Sequence, residues 1–359
     1  MAEISAAAVK ELRDQTGLPM MDCKRALTES EGDVNAAIQR LRERGAQVLA
    51  KRSDRDTTFG RFGLYTSMEN GQGGMVELKC ESASVTQNEE FIQLANDLAE
   101  QLATGPGAAN GDELLGQPSP SQDGSTLLEQ RDELFNRIRE VFNVGRLVRI
   151  DGSCASYSHN ASTVSGVLLE VEGGNEEAAR DICMHIAAMH PSVLEESDLP
   201  EDMVERERGI LHKAALQEVL EQITGALEKA QRKLSDAETQ LADLASDAEG
   251  DKDPAAAEEA VQVATTAVEN ATAEVNTVEL AQQKADGAAT GAGASEEGKP
   301  GKIIARVDKM VDGRLRKFFA ERVLTEQPFV KGEKQTVSQF AEEHDMKIKQ
   351  FFHWDLSDG

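Results

Sequence analysis

No apolar run in this 359-residue chain reaches the length that a transmembrane helix needs. The first residues, Met1 to Ile4, are predicted to begin a folded helix rather than a signal or transit peptide. With 39% hydrophobic and 29% charged residues, the composition is typical of a soluble protein that can bury at least two cores. We therefore expect a cytoplasmic protein that does not bind membranes.

Cysteine pairs are also missing. The four cysteines are far apart in the sequence and form no Cys-x-x-Cys motif, so neither a disulfide framework nor a cysteine zinc site is indicated. Free cysteine is among the most frequently buried residue types. We expect four buried free thiols, namely Cys23, Cys80, Cys154 and Cys183.

Basic residues are fewer than acidic residues. The chain has 38 Lys and Arg against 65 Asp and Glu, a formal net charge of −27. Nucleic-acid binding requires basic patches that release counterions, and no such patch of useful size is present. Residues 217–300 alone carry 18 acidic and six basic side chains, a local net charge of −12. A protein is therefore the expected partner, with no direct nucleic-acid contact.

Catalytic motifs are absent as well. Residues 293–300 (GASEEGKP) imitate a phosphate-binding loop, but the final proline supplies no hydroxyl for magnesium and two glutamates would face the phosphates. Among the six histidines, His185 and His190 are five residues apart and do not share a helix face. Neither Gly-x-Ser-x-Gly nor His-Glu-x-x-His occurs. We expect no enzyme activity, no cofactor and no metal site.

The N-terminal residues 1–45 have the pattern of a small three-helix domain. Ser5 and Asp33 stand at N-cap positions, and apolar residues recur between and after them at helical spacing. Met20 and Met21 begin the second helix, where adjacent methionines are adaptable contact surface more often than ligands. The polar, basic residues 46–58 are predicted to be a flexible linker to the rest of the chain.

An internal repeat follows. Tyr65 precedes Gly74 by nine residues, as Tyr157 precedes Gly166, and each glycine opens an apolar run. Each copy is predicted to be strand, turn, strand and then a helix capped by asparagine. The first copy carries five extra residues before its helix, 81–85, because Gly74 lies 14 residues before Asn88 whereas the equivalent spacing in the second copy is nine. An addition to one copy of a repeated core indicates specialised function, although a neutral loop insertion is equally compatible.

The repeat predicts an α+β fold with antiparallel sheets. We expect the first core subdomain over 59–150 and the second over 151–215 and 298–359. Within the first, 105–126 is predicted to be a loop, and the single tryptophan, Trp354, is expected to complete the second core.

The intervening residues 216–297 show two apolar seams of alternating spacing four and three, separated by a glycine and a proline. These seams predict a long antiparallel coiled-coil hairpin, with 286–297 as a disordered return. A parallel homodimer zipper is the alternative, so a homodimer stays open.

The run TGLPMMDCKRAL (16–27) resembles the ubiquitin-associated-like N-terminal domain of the bacterial elongation factor Ts family. The similarity extends over most of the chain outside the acidic hairpin, through 74–91, 181–189, 205–208, 298–300, 312–318 and 327–330. The resemblance implies a guanine-nucleotide exchange factor. Such a protein binds elongation factor Tu carrying GDP, dislocates the magnesium ion and lets GTP replace GDP.

The resemblance also assigns residues. Partner contacts are implied for six positions, which are Arg13, Met20, Met21, Lys24, Phe91 and His185. The family's exchange wedge is a Thr-Asp-Phe-Val segment, and alignment places Ser82, Ala83, Ser84 and Val85 at its four positions. The chain thus lacks the carboxylate and the aromatic ring of the family wedge.

This departure leaves two further interpretations open. A scaffold or chaperone-like binder would hold the same GTPase through Met20, Met21 and the hairpin without accelerating exchange. An independent coiled-coil adaptor would depend on 217–297 for its partner. We favour a protein that still promotes exchange but acts with altered strength on the nucleotide site of its partner. The repeat around the wedge and the N-terminal three-helix domain are both intact.

Overall fold

A computed structural model describes residues 4–52, 55–160, 164–246, 254–287, 299–332 and 335–356. The chain forms two compact units: Met1–Leu194 together with Leu324–Gly359, and Glu195–Val323. The first unit contains antiparallel sheets and helices, and the second is helical. None of the helices in the described part of the chain combines the length and hydropathy required to cross a membrane.

Eleven α-helices and six strands follow one another along the described residues. In chain order they are α1 Ala6–Thr16, α2 Met20–Glu29, α3 Val34–Ala50, β1 Phe59–Ser67, β2 Gln72–Cys80, α4 Glu89–Thr104, α5 Gly111–Leu115, α6 Leu127–Ile138, β3 Asn143–Ile150, β4 Cys154–Asn160, β5 Val164–Gly173, α7 Glu176–Met189, α8 Glu201–Ser246, α9 Pro254–Gly287, α10 Lys299–Arg322, α11 Val337–Glu343 and β6 Met346–Asp355. Helix α5 lies within the stretch predicted to be a loop, where Asn110 caps five residues.

Helices α1 to α3 pack around one small core. The side chain of Ser5 accepts from the Ala8 N–H, and that of Asp33 accepts from the Ala36 N–H, which confirms both predicted N-caps. Gly17 ends α1 with φ 67°, a left-handed conformation that favours glycine. The buried residues shared by the three helices are Val9, Leu12, Leu18, Cys23, Ala26, Leu27, Ala37 and Leu41.

The prediction of a flexible linker from residue 46 is wrong at its start, because α3 continues to Ala50. Contacts with the core explain the extension. The Arg42 guanidinium lies 2.8 Å from the Glu133 carboxylate on α6, and Arg52 Nη1 donates to the Arg139 carbonyl at 2.8 Å. The second half of α3 is therefore held against α6 and the residue that follows it.

Two three-stranded antiparallel sheets form the core, with strand orders β1-β2-β3 and β4-β5-β6. Tyr65 pairs with Gly74, whereas Tyr157 pairs with Val167, so the two copies of the repeat differ in register by one residue. Helix α4 packs on the first sheet, and a Cβ at Gly74 would lie 2.5 Å from the Ala99 carbonyl oxygen of that helix. This close approach explains the glycine in the first copy.

The two sheets also share a cluster of their own. Phe62, Met75 and Leu168 are buried in it. Trp354 lies in this cluster, half-buried, with its ring centroid 6.2 Å from that of Phe62. The tryptophan therefore joins the two sheets instead of completing the second core alone.

The second unit is built from α8, α9 and α10. Early α8 and late α9 meet in one cluster that includes Ile223 and Val278, so the two helices are antiparallel within one chain, as the hairpin predicts. At about 1.5 Å per residue, the 46 residues of α8 span roughly 70 Å.

The boundaries of this unit differ from the prediction. Val307 and Val311 of α10 pack in the same cluster as Val219, so α10 belongs with the hairpin and not with the second core subdomain. The unit also begins at Glu195 rather than at residue 216. The predicted turn at 249–253 and most of the predicted disordered return lie outside the described residues.

Candidate partner-binding and exchange surface

The five residues added to the first repeat form part of a short, ordered connection between β2 and α4, residues 81–88, which we call the exchange segment. Ala83–Gln87 is a single 3-10 helix, and Asn88 then caps α4 by accepting from the N–H groups of Glu90 and Phe91. In the second repeat, Gly174 alone separates the end of β5 from the cap residue Asn175. The sequence thus located the extra segment correctly.

Glu140 ties the start of the exchange segment to the loop after α6. Its carboxylate accepts from the Ser82 N–H at 3.0 Å and from the Ser82 hydroxyl at 2.5 Å. The Ser82 and Ser84 hydroxyl oxygens are 3.2 Å apart. Hydrogen bonds to a charged acceptor are about twice as strong as neutral ones, so this contact fixes the segment firmly.

Glu81 supplies a second tie. Its carboxylate accepts from the Val141 N–H and from Arg55, both at 2.8 Å. Burial on its own raises the pKa of this carboxyl, but the Val141 N–H and the Arg55 guanidinium outweigh it and hold the pKa below its ordinary value. Glu81 is therefore ionised at neutral pH and keeps both partners.

The far end of the segment is held by packing. Val85 is buried in the core cluster of the first sheet, and Arg61 Nη1 donates to the Thr86 carbonyl at 2.8 Å. Between these ties, Ala83 and Ser84 are exposed. The segment is a well-anchored projection whose exposed side chains are small.

Cys80 precedes the segment and is not a reactive group. Burial, with the charge of Glu140 as a second cause, raises the pKa of its thiol to about 12. Its Sγ donates to the Ser82 carbonyl at 3.3 Å. All four cysteines are free and buried, as predicted.

The second candidate surface lies on α2. Met20 is 48% and Met21 is 70% exposed, which is unusual for large apolar side chains. Lys24 is exposed one turn further along, and residues three and four apart share a helix face. Arg13 is exposed on α1. We call Met20, Met21 and Lys24 the methionine face.

Asp22 connects the methionine face to the core. It accepts from Arg139 at 3.2 Å across the boundary between α2 and the end of α6, and from Arg25 at 2.7 Å on its own helix. Arg139 itself adopts a left-handed conformation with φ 65°. Because Glu140 follows Arg139 directly, α2 and the exchange segment both bind the same short stretch of chain.

Burial changes the role of two predicted contact residues. Phe91 is fully buried, with its ring centroid 5.4 Å from that of Phe142. His185 is only 1% exposed. Neither side chain presents a surface in this structure, so each can influence a partner only through the backbone that it positions.

His185 positions the loop that precedes α11. Its Nδ1 accepts from the Val330 N–H at 3.3 Å, and its Nε2 lies 2.9 Å from the Gln327 amide oxygen. A backbone N–H only donates, so Nδ1 carries no proton and Nε2–H donates to Gln327. The ring is thus neutral, and Val330, 58% exposed, is held at the surface.

This arrangement predicts acid sensitivity. Burial lowers the pKa of His185 below its ordinary value, although the Gln327 hydrogen bond opposes the shift. The unfolded chain therefore binds more protons below about pH 6.5, and the free energy of unfolding of the first unit should fall as the pH decreases through that region. His185→Asn, whose side-chain oxygen can still accept from the Val330 N–H, should show a smaller decrease.

Urea unfolding followed by the fluorescence of Trp354 at pH 7 and at pH 5 measures this difference. His159→Asn, at an exposed histidine of the same unit, is the matched control and should keep the wild-type pH dependence. An unchanged pH dependence in His185→Asn would contradict the assignment.

The sequence missed one cluster. His190 Nδ1 lies 3.3 Å from one oxygen of the Asp355 carboxylate, and His353 Nε2 lies 3.6 Å from the other oxygen. The sequence comparison of His185 with His190 could not reveal this group, because its partners come from the end of the chain. The alternation of His353 and Asp355 along one strand was the available signal.

The comparisons with known proteins all point to one family. The family model described as Elongation factor TS matches residues 81–240 and 237–358. The chain is 32% identical over 361 residues to an Elongation factor Ts of Bordetella petrii, covering 100% of this chain and 93% of the relative. It is 29% identical over 360 residues to that of Thioalkalivibrio sulfidiphilus, covering 99% and 93%. It is 40% identical over 223 residues to that of Kineococcus radiotolerans, covering 61% of this chain and 79% of the relative.

Proposed function

The chain belongs to the elongation factor Ts family, and we infer from this membership that it is a translation elongation factor that promotes nucleotide exchange on the GTPase elongation factor Tu. The observation that carries the proposal is the exchange segment. It is an addition to one repeat only, it is tied at both ends, and its middle is exposed.

Exchange of this kind needs no catalytic side chain. A protein that binds the nucleotide-free GTPase more tightly than the GDP-bound GTPase must weaken GDP binding by the same factor, about 1.4 kcal/mol for each tenfold change. The required element is a rigid projection that disturbs the magnesium and phosphate site of the partner. We assign this role to Ser82, Ala83, Ser84 and Val85.

Rigidity follows from the ties of the segment. A push against Ala83 or Ser84 is resisted at one end by the Ser82–Glu140 hydrogen bonds and at the other by buried Val85. Displacing the segment would break charge-assisted hydrogen bonds or expose an apolar side chain. Complex formation is therefore expected to distort the partner rather than the exchange segment.

Docking is a separate task, which we assign to the methionine face together with Arg13. Exposed methionines adapt their shape to an apolar groove, and Lys24 adds a charge at the border. Because Asp22 fixes α2 to Arg139, docking there places the exchange segment in a defined position. Phe91 supports this geometry from the core, and His185 holds Val330 at the surface.

The scaffold alternative predicts binding without faster exchange, and membership of the family does not favour it. The small side chains of Ala83 and Ser84 reach less far into a partner than a carboxylate and an aromatic ring would. The contacts that hold the exchange segment in place are still present. We therefore propose exchange with reduced leverage. The acidic helices α8 and α9 are a further partner contact under this proposal, and a homodimer is not required for any step.

Stopped-flow release of labelled GDP from elongation factor Tu tests the proposal. The full chain should accelerate release in a saturable manner. The double variant Met20→Ser/Met21→Ser should raise the concentration needed for half-maximal rate by roughly tenfold or more, since burying one methionine contributes about 1.5–3 kcal/mol. Its rate at saturation should stay unchanged.

Val34→Ser is the matched control, because Val34 is 39% exposed on the same three-helix domain but lies outside the methionine face. It should behave as the wild type. Binding without any acceleration at saturating protein would support the scaffold and overturn the exchange proposal. A loss of maximal rate in the methionine variant would show that docking and leverage are not separate.

A further inference from the structure

The end of α7 and the end of β6 bring together two imidazoles and one carboxylate. His190, His353 and Asp355 each offer one ligand atom, and these atoms all lie within 4.8 Å of one another. All three residues belong to the first unit. From this geometry we propose that the three side chains bind one divalent transition-metal ion of the zinc class.

Distances fit a tetrahedral ion. Zinc lies about 2.0–2.2 Å from nitrogen and oxygen ligands, which places neighbouring tetrahedral ligand atoms roughly 3.3–3.6 Å apart. His190 Nδ1 is 3.3 Å from Asp355 Oδ2, and His353 Nε2 is 3.6 Å from Asp355 Oδ1. The two nitrogens face different oxygens of the carboxylate, and all the ligand atoms lie within 4.8 Å of one another, so a modest side-chain movement would bring them onto one ion. His190, whose side chain is half-exposed, can supply that movement.

The backbone prepares the ligands. His353 and Asp355 are two apart on β6 and therefore point to the same face of the strand. His190 is the C-cap of α7 in a left-handed conformation, φ 49° and ψ 52°, which turns the chain back towards β6. Non-glycine residues seldom adopt this conformation, so the packing of His190 against the His353 ring, 4.7 Å between centroids, compensates for its cost.

The Asp355 carboxylate has one unsatisfied oxygen. Its Oδ1 is buried and has no hydrogen-bond partner among the described residues, although a buried carboxylate oxygen normally has one. A bound cation would satisfy that oxygen. The Ser165 hydroxyl lies 2.9 Å from His353 Nε2, and the metal would replace this hydrogen bond.

The ligand set selects the class of metal. Imidazole nitrogens suit zinc, iron, nickel and copper, whereas magnesium and calcium prefer oxygen ligands throughout. Three protein ligands leave a fourth position for water, and the half-exposed His190 leaves that position open. The ion would tie the end of α7 to the C-terminal strand, which pairs with β5 and carries Trp354.

Two measurements on the untagged full chain test the site. One is a calorimetric titration with Zn²⁺, and the other is thermal unfolding with and without Zn²⁺. The wild type should bind one ion and unfold at a higher temperature with zinc, because a ligand that binds only the folded state stabilises it. His190→Asn keeps a residue that tolerates the left-handed conformation and should weaken binding by about 100-fold or more. Added Mg²⁺ should not compete.

His159→Asn removes an exposed histidine of the same unit outside the cluster and should leave zinc affinity unchanged. Substitution of Co²⁺ identifies the ligands. Nitrogen and oxygen ligands give the absorption bands of tetrahedral cobalt without sulfur-to-metal charge transfer. Absence of stoichiometric binding, equal affinity in His190→Asn, or a charge-transfer band from cysteine would each overturn the proposal.

Discussion

Replacing Ala83 with aspartate and Ser84 with phenylalanine is expected to accelerate GDP release from elongation factor Tu by up to about a hundredfold. One additional buried aromatic contact contributes roughly 2–3 kcal/mol, and each 1.4 kcal/mol corresponds to a factor of ten in coupling. The wild-type side chains at these two positions are too small to reach far into a partner. In the double variant, the longer aspartate and phenylalanine side chains would extend further into the partner.

The structure accommodates both substitutions. Ala83 and Ser84 are exposed, so the larger side chains meet solvent in the free protein and do not disturb the core. The ties through Glu81, Glu140 and Val85 involve other atoms of the segment. Loss of the Ser84 hydroxyl removes only its contact with Ser82, whose hydroxyl keeps the Glu140 carboxylate. The thermal stability should therefore change little.

The rate of GDP release at saturating concentrations of this protein measures the effect of the exchange segment separately from docking. The single variants should each give part of the increase, and Thr104→Phe, which adds the same ring at an exposed position on the far end of α4, should give none. If elongation factor Tu released GDP at the same maximal rate with the double variant as with the wild type, the exchange segment would not be the element that promotes release. A raised affinity with an unchanged maximal rate would lead to the same conclusion.

Local signals predicted the fold well. Ser5, Asp33, Asn88 and Asn175 all cap helices, because the capping interaction involves residues two or three apart and is visible in the sequence. The repeat predicted two antiparallel sheets, and the alternating apolar spacing predicted the hairpin. The caps and the apolar spacing depend on neighbours along the chain, and the repeat shows the sheets through the similarity of its two copies.

Features that depend on distant partners were missed or placed incorrectly. Helix α3 extends to Ala50 because Arg42 and Arg52 contact α6 and the residue that follows it, and their partners there lie 91 and 87 residues further along the chain. The sequence could not show that Phe91 and His185 are buried, since a family contact position does not reveal what covers the side chain. The cluster around Asp355 likewise requires the fold that joins α7 to β6.

Phe91→Ala is expected to lower the free energy of unfolding of the first unit by about 3–5 kcal/mol, the range for large-to-small substitution of a buried phenylalanine. The ring is fully buried and lies against Phe142 at an interplanar angle of 55°. Alanine would leave a cavity directly behind the cap of α4. Urea unfolding followed by the fluorescence of Trp354, the only tryptophan, reports on this unit.

Phe59→Ala is the matched control, because it makes the same change on β1 at a ring that is 43% exposed, and it should cost far less. Phe91→Leu distinguishes support from contact. It retains most of the buried volume, so a core role predicts a small loss of stability and an almost unchanged rate of GDP release. A residue that touched the partner directly would behave differently: its leucine variant would lose exchange activity while the unfolding curve stayed near that of the wild type. The burial of Phe91 favours the first outcome, in which any change in GDP release on its substitution arises from displacement of α4 and the exchange segment.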